Sequence, residues 1–89
     1  MRQLKITIKG EVQGVFFRSF VQETATRLRL KGYVKNTDKV YVEIVVQGKD
    51  ESLKQFIEKC KQGPEAARVE KFEVKEDRVT AFDSFEIKY

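Results

Sequence analysis

Histidine is absent from the 89 residues, and cysteine, Cys60, and proline, Pro64, each occur once. Without histidine there can be no His-based metal site, no Ser-His or Cys-His pair and no phosphohistidine chemistry. A single cysteine can form no internal disulfide and no Cys-based metal centre. No stretch approaches the roughly 20 consecutive apolar residues that would span a bilayer. Met1 leads directly into an alternating pattern, with no basic-then-apolar signal segment, so a cytoplasmic location is expected. Neither sign of charge dominates: 18 basic and 14 acidic residues give a net charge of +4. They are interspersed, as in Lys49-Asp50-Glu51, which describes a solvated surface with a mild bias towards anionic ligands rather than a nucleic-acid tail. Such a surface on a small chain leads us to expect a monomer.

What is present suffices for one core. Apolar residues make up 40% of the chain, and a second core would have too little chain to bury, so residues 1–89 are read as one domain. Leu4, Ile6 and Ile8 alternate with Lys5, Thr7 and Lys9, the period of a half-buried strand. From about Phe17 the period changes. Phe17, Val21, Ala25 (or Thr24) and Leu28 mark an amphipathic helix, expected to end near Leu30-Lys31 with Gly32 as its stop. Residues 33–37 read as a short strand, and Val40, Val42, Ile44 and Val46 as the next. Asp50 is a plausible N-cap for a second helix whose core stripe is Leu53, Phe56, Ile57 and Cys60. Cys60 therefore reads as a buried structural thiol. Gly63-Pro64 closes this helix, residues 69–74 form another strand, and Phe85, Ile87 and Tyr89 a short last one.

The order β-α-β-β-α-β plus a C-terminal strand gives an α+β class. It predicts a ferredoxin-like sandwich: a mostly antiparallel sheet with two helices on one face. This fold hosts many unrelated functions, so activity must be argued from a site.

Gly10 to Gly14 break the first strand pattern and lead into the first helix. The two glycines let the backbone approach a ligand closely, and the helix start offers unpaired N–H groups and a positive dipole end. The result is an anion cradle, although it is neither a Walker loop nor a dinucleotide fingerprint. Arg18, in the first helical turn, could fork onto phosphate oxygens; on spacing alone it could equally be a surface arginine. Asn36 lies at the far end of the second strand. A helix of about 12 residues carries the chain roughly 18 Å away and the following strand returns it, so Arg18 and Asn36 can share one sheet edge. The competing reading of Asn36 is a turn residue opening a hairpin.

The segment Gly10-Glu11-Val12-Gln13-Gly14-Val15-Phe16-Phe17-Arg18 closely resembles the acylphosphatase signature Gly-x-Val-Gln-Gly-Val-x-Phe-Arg. Gly32-Tyr33-Val34-Lys35-Asn36, followed by Val42 and Gly48, is similar to that family's second signature. Leu30, Gly63-Pro64 and Phe85-Glu86-Ile87-Lys88-Tyr89 also fit, so the resemblance spans essentially the whole chain. It implies hydrolysis of carboxyl-phosphate mixed anhydrides to a carboxylate and inorganic phosphate, without metal or cofactor. It places the catalytic arginine on Arg18, the water-positioning asparagine on Asn36 and the phosphate loop on Gln13, Gly14, Val15, Phe16 and Phe17. The partner implied is a small-molecule acyl phosphate, with no nucleic acid and no membrane. Since nothing follows residue 89, a free-standing enzyme is expected rather than the opening domain of a larger protein.

One departure matters. Where the family has an Asp-Gly turn, this chain has Lys39-Val40, and a β-branched residue resists positive φ. Either the turn is rebuilt, with Asp38 or Lys39 carrying the bend, or Asn36 is displaced and activity suffers. Two rival functions therefore stand beside the enzyme. One is a catalytically weak acylphosphatase-like interaction module. The other is an RNA-binding sheet, for which Lys31-Gly32-Tyr33-Val34 is a faint cue, although Phe20, Phe56, Phe72 and Phe85 are more economically assigned to the core.

Overall fold

Alternating apolar residues generate longer strands than the hydrophobic pattern alone marks. In the computed structural model, which describes residues 1–12, 16–38, 40–65 and 67–89, β1 runs Arg2–Glu11, β2 Lys31–Asp38, β3 Tyr41–Gly48, β4 Arg68–Asp77 and β5 Phe85–Lys88. The extra residues are polar ones carried along by backbone pairing, which periodicity of side chains does not report. Gln13, Gly14, Val15 and Lys39 lie outside the described residues. The sheet order is β4-β1-β3-β2-β5, antiparallel throughout except for the parallel β2–β5 pair. Helices α1 (Phe17–Arg27) and α2 (Asp50–Gln62) cover one face, as expected for a ferredoxin-like sandwich. Among the described residues, no helix is long and apolar enough to cross a membrane.

The core lies between this face and the helices. Leu4, Ile6, Ile8, Val34, Val42, Ile44 and Val46 rise from the sheet; Phe17, Val21, Ala25, Leu53, Phe56 and Cys60 descend from the helices. Phe56 and Phe85 are buried, while Phe20 and Phe72 pack against the core from its margin. Burying each large apolar side chain contributes about 1.5–3 kcal/mol.

Helix α1 ends earlier than the sequence pattern suggests. Arg29 takes φ 60°, Arg29 N–H donates to the Thr26 carbonyl at 3.1 Å and Leu30 N–H to that of Ala25 at 2.9 Å. This is a Schellman closure, with Leu30 buried beneath it. Gly32 is therefore not the stop but a β2 residue, where a Cβ would lie 1.8 Å from the Val45 carbonyl oxygen. Helix α2 is capped from Lys49 rather than Asp50, which instead places a carboxylate in the first turn.

Two polar arrangements on the opposite face hold the strands that carry the site. Glu43, at the centre of β3, receives the Tyr33 hydroxyl at 2.8 Å and sits 3.5 Å from Lys5 Nζ and 3.6 Å from Lys35 Nζ. It thus joins β1, β3 and β2. At the other end, the buried Gln3 and Gln47 anchor Thr80: Gln47 Nε2 donates to Gln3 Oε1 and to the Thr80 carbonyl, both at 2.7 Å, and Thr80 N–H donates to Gln3 Oε1 at 2.9 Å. The segment 78–84 is thereby tied down before β5 begins, and Gly32 N–H donates to the Ser84 carbonyl at 3.0 Å where β5 joins β2.

Partial burial, followed by the hydrogen bond to Glu43, pushes the Tyr33 phenol from about 10 up to about 12. Burial also works to raise Glu43, but the Tyr33 hydroxyl with Lys5 and Lys35 outweighs it and holds the carboxyl below its usual value. The neutral phenol is favoured by folding. Its stabilisation is complete below the free-phenol value near 10 and disappears as pH rises to about 12. Ultraviolet titration of the native protein should therefore show a tyrosinate step near pH 12 that is missing in Tyr33→Phe; a Tyr33 step at the free-phenol value would refute the pairing with Glu43.

Candidate active site

The C-terminal ends of β1, β2 and β5 meet the start of α1 at one edge of the sheet. Ile8 stands opposite Val42, and Val42 opposite Asn36, so Asn36 is level with the end of β1. Lys35 is paired with Lys88 across the parallel β2–β5 contact, which brings Tyr89 level with Asn36. Near the end of β1 its register against β4 shifts between Lys9 and Gly10, with Glu70 the extra residue on β4. Gly10 has φ 151°, and a Cβ there would lie 2.0 Å from the Arg68 carbonyl oxygen, so β4 can approach only a glycine. Gly10 N–H donates to the Val40 carbonyl at 3.0 Å, tying the end of β1 to the β2–β3 hairpin.

That hairpin bulges just ahead of the unusual Lys39-Val40 pair. The register slips between Asn36 and Asp38, and Val40 does not adopt positive φ. Asn36 keeps its place opposite Val42. The extra residue is taken up beyond it, so the altered turn does not move it out of register.

Helix α1 opens without a capping side chain: its N-cap is Phe16, at φ 60°, with no side-chain hydrogen bond to the first turn. The first intrahelical donor is Phe20, to the Phe16 carbonyl at 3.0 Å, so the N–H groups of Phe17, Arg18 and Ser19 have no intrahelical acceptor. The first turn of α1 contains no acidic residue, whereas that of α2 contains Asp50 and Glu51. The positive end of α2 is thus offset from within, while that of α1 stays open to an anion.

Arg18 lies beside those amides. Its Nη1 donates to the Lys88 carbonyl at 3.1 Å, and its guanidinium carbon stands 4.7 Å from the centre of the Tyr89 ring. One hydrogen bond and one stacked face orient the group while leaving other N–H donors for a ligand. Val12, Phe16, Phe17, Arg18, Ser19, Ile87 and Tyr89 line a cleft of about 190 Å³ here. Sequence reasoning missed this use of the C-terminal strand, because the strand's alternation says nothing about which neighbour it will pair with.

Asn36 is on the same sheet face as the buried Val34, towards the helices. Its Oδ1 is buried and, among the described residues, accepts no hydrogen bond. Such an orphan acceptor costs about 1–3 kcal/mol. A turn-forming asparagine would instead spend its side chain on the nearby backbone. Phe17, read from sequence as part of the phosphate loop, has its ring in the core at 1% exposure, leaving only its backbone N–H to face a ligand. Of that loop, Gln13, Gly14 and Val15 fall outside the described residues.

Among the described residues, neither the lone thiol nor a metal cluster contributes to this region. Cys60 is in the core, and burial pushes its thiol up to about 12, leaving no useful thiolate at neutral pH. Among the described residues, no group of three His, Cys, Asp or Glu side chains could hold a metal ion.

Comparison with known proteins agrees with this fold. A family model described as Acylphosphatase matches residues 4–87. An acylphosphatase from Oceanobacillus iheyensis is 43% identical over 91 aligned residues, covering all of both chains. The crystal structure of acylphosphatase from Bacillus subtilis superposes with a TM-score of 0.95 at 40% identity, again covering all of both chains. A structure of T. kodakarensis HypF matches all of this chain with 12% of its own length, at a TM-score of 0.88 and 40% identity.

The orphan carbonyl of Asn36 makes a prediction about stability. Replacing it with the similarly sized, apolar Leu should raise the unfolding free energy by about 1 kcal/mol, since an unsatisfied buried acceptor disappears. Urea denaturation checks this; a clear loss of stability would mean that the amide is structurally employed.

Proposed function

The chain belongs to the acylphosphatase family of enzymes, and we propose that it hydrolyses acyl phosphates by direct, metal-free attack of a water that Asn36 positions on a phosphoryl group held by Arg18 and the loop at residues 13–17. The observation that carries this reading is the pairing, at one sheet edge, of an open helix start beside an oriented guanidinium with an unemployed amide oxygen on β2.

In this mechanism the phosphoryl oxygens sit against the first amides of α1 and the free N–H groups of Arg18. There the charge that spreads over the equatorial oxygens in the transition state is stabilised, the main requirement of phosphoryl transfer. The Asn36 side-chain amide hydrogen-bonds the attacking water and fixes its direction, which needs no proton affinity. The water oxygen bonds to phosphorus, the bond from phosphorus to the acyl oxygen breaks, and its electron pair leaves on the carboxylate. The conjugate acid of that leaving group has a pKa of roughly 4, judged by Asp and Glu, so it departs without a general acid. A phosphoryl oxygen of the substrate takes the water's proton. The products are a carboxylate and inorganic phosphate.

A chain without histidine and without a clustered donor set among its described residues is suited to chemistry that needs neither base nor metal. We read residues 1–89 as one catalytic unit, working as a cytoplasmic monomer on a small substrate. The RNA-binding alternative loses ground because Lys88 Nζ lies 4.2 Å from the centre of the Tyr33 ring and Phe82 meets that ring edge-on. A lysine thus already lies over a ring on which a base would stack.

Hydrolysis of benzoyl phosphate in excess EDTA tests the proposal. Wild-type turnover should survive the chelator. Arg18→Ala should lose roughly 100- to 1,000-fold in kcat/KM, with weaker inhibition by phosphate. Asn36→Ala should lose mainly kcat, since it acts on the water rather than on substrate binding. A pH–rate profile demanding an enzymic base near neutrality would sink the proton route. Absence of turnover in folded wild-type protein would sink the activity itself.

A further inference from the structure

The two most exposed large hydrophobic side chains among the described residues are Tyr89, at 98%, and Phe16, at 83%. Both line the cleft that holds Arg18. The other exposed large apolar side chains among the described residues, Met1, Val40, Val74 and Val79, carry no ring, so two bare rings at one small cleft call for a local explanation.

Phe16 is disfavoured where it stands on two further counts. It holds φ 60°, ψ 23°, a left-handed conformation that bulky residues resist. It also occupies the N-cap of α1, where Ser, Thr, Asp or Asn would satisfy a free amide and phenylalanine does not. An asparagine at this position would suit the backbone, the cap and the solvent at once. A residue that is wrong for backbone, cap and exposure together points to a role in binding.

The size of the cleft says which part of a ligand the rings would meet. At about 190 Å³ it falls below the roughly 300–1,000 Å³ of pockets that enclose a whole organic ligand. Its polar wall is Arg18, Ser19 and the helix amides; its apolar wall is Val12, Phe16, Ile87 and Tyr89. A phosphoryl group on the polar wall leaves the acyl group at the rim, against the rings. Tyr89 has Arg18 over one face, and its near-complete exposure leaves the other face free.

Resting on the proposed hydrolysis, we infer that Phe16, with Tyr89, forms an acyl-group subsite that selects acyl phosphates with aromatic or bulky apolar acyl groups over those with small ones. Closing such a ring onto Phe16 removes apolar area from water on both partners and adds an aromatic contact. An acetyl group is too small to gain much from either.

The test compares kcat/KM for benzoyl phosphate with that for acetyl phosphate, in the wild type and in Phe16→Ala and Phe16→Asn. The ratio is the readout, so changes in overall rate cancel. Wild type should favour benzoyl phosphate, and the ratio should fall about tenfold in both variants, the usual scale for losing one apolar contact in a specificity site. Phe16→Asn should also unfold at a higher temperature than wild type, which separates the lost preference from damage to the fold. Wild-type turnover of both substrates with an unchanged ratio in the variants overturns the subsite alone. Turnover of neither substrate by wild type overturns the hydrolytic reading and the subsite with it.

Discussion

Antiparallel pairing of β3 with both β1 and β2 is the constraint on which the rest of the site depends. Two strands that each oppose β3 must run parallel to one another, so their C-terminal ends emerge at the same edge. Helix α1 leaves from the end of β1, crosses the sheet and returns the chain into β2. Strand direction therefore puts the open helix start and Asn36 at the same end of the sheet. The parallel addition of β5 to β2 then carries the Lys88 carbonyl and the Tyr89 ring to the same edge, where they hold Arg18. Among the described residues, each proposed functional group sits on, or immediately beside, a paired strand or a packed helix, the arrangement that keeps a site in geometry.

Several locally unfavourable features meet at this edge. Helix α1 lacks a capping side chain, Phe16 is in the left-handed region with its ring in water, and Asn36 buries an acceptor without a donor. Helix α2 and the Glu43 hub instead show charges placed to suit their surroundings. Departures from local consistency gather where binding and chemistry are proposed, and the packed core between sheet and helices supplies the stability that tolerates them.

Legibility in the sequence followed the physics of each signal. Hydrophobic period two marked β1 and β3, and the stripe Leu53-Phe56-Ile57-Cys60 marked α2, because core burial selects every residue in those patterns. The end of α1 was harder to read. Arg29 makes the left-handed turn that a glycine would be expected to make, and it is stabilised by backbone hydrogen bonds and by the burial of Leu30, neither of which leaves a compositional mark. The Lys39-Val40 turn looked threatening for the same reason. The sequence reveals a missing glycine, but not the bulge beyond Asn36 that makes a glycine unnecessary at Val40.

By itself the sequence determined the element order, the two-layer class, the core stripes and the family resemblance that singled out Arg18 and Asn36, since these depend on residue identity and on spacing along the chain. Tertiary structure decided which edge of the sheet β5 would occupy, and with it that Lys88 and Tyr89 would orient Arg18. It decided that Gln3 and Gln47, polar residues in an alternating strand, would be buried beneath Thr80 rather than left in water. It also decided that the Asn36 carbonyl would find no donor among the described residues. The physical reason is common to all three: whether a polar group is exposed, satisfied or orphaned depends on what the fold places opposite it, and that neighbour can lie dozens of residues away along the chain.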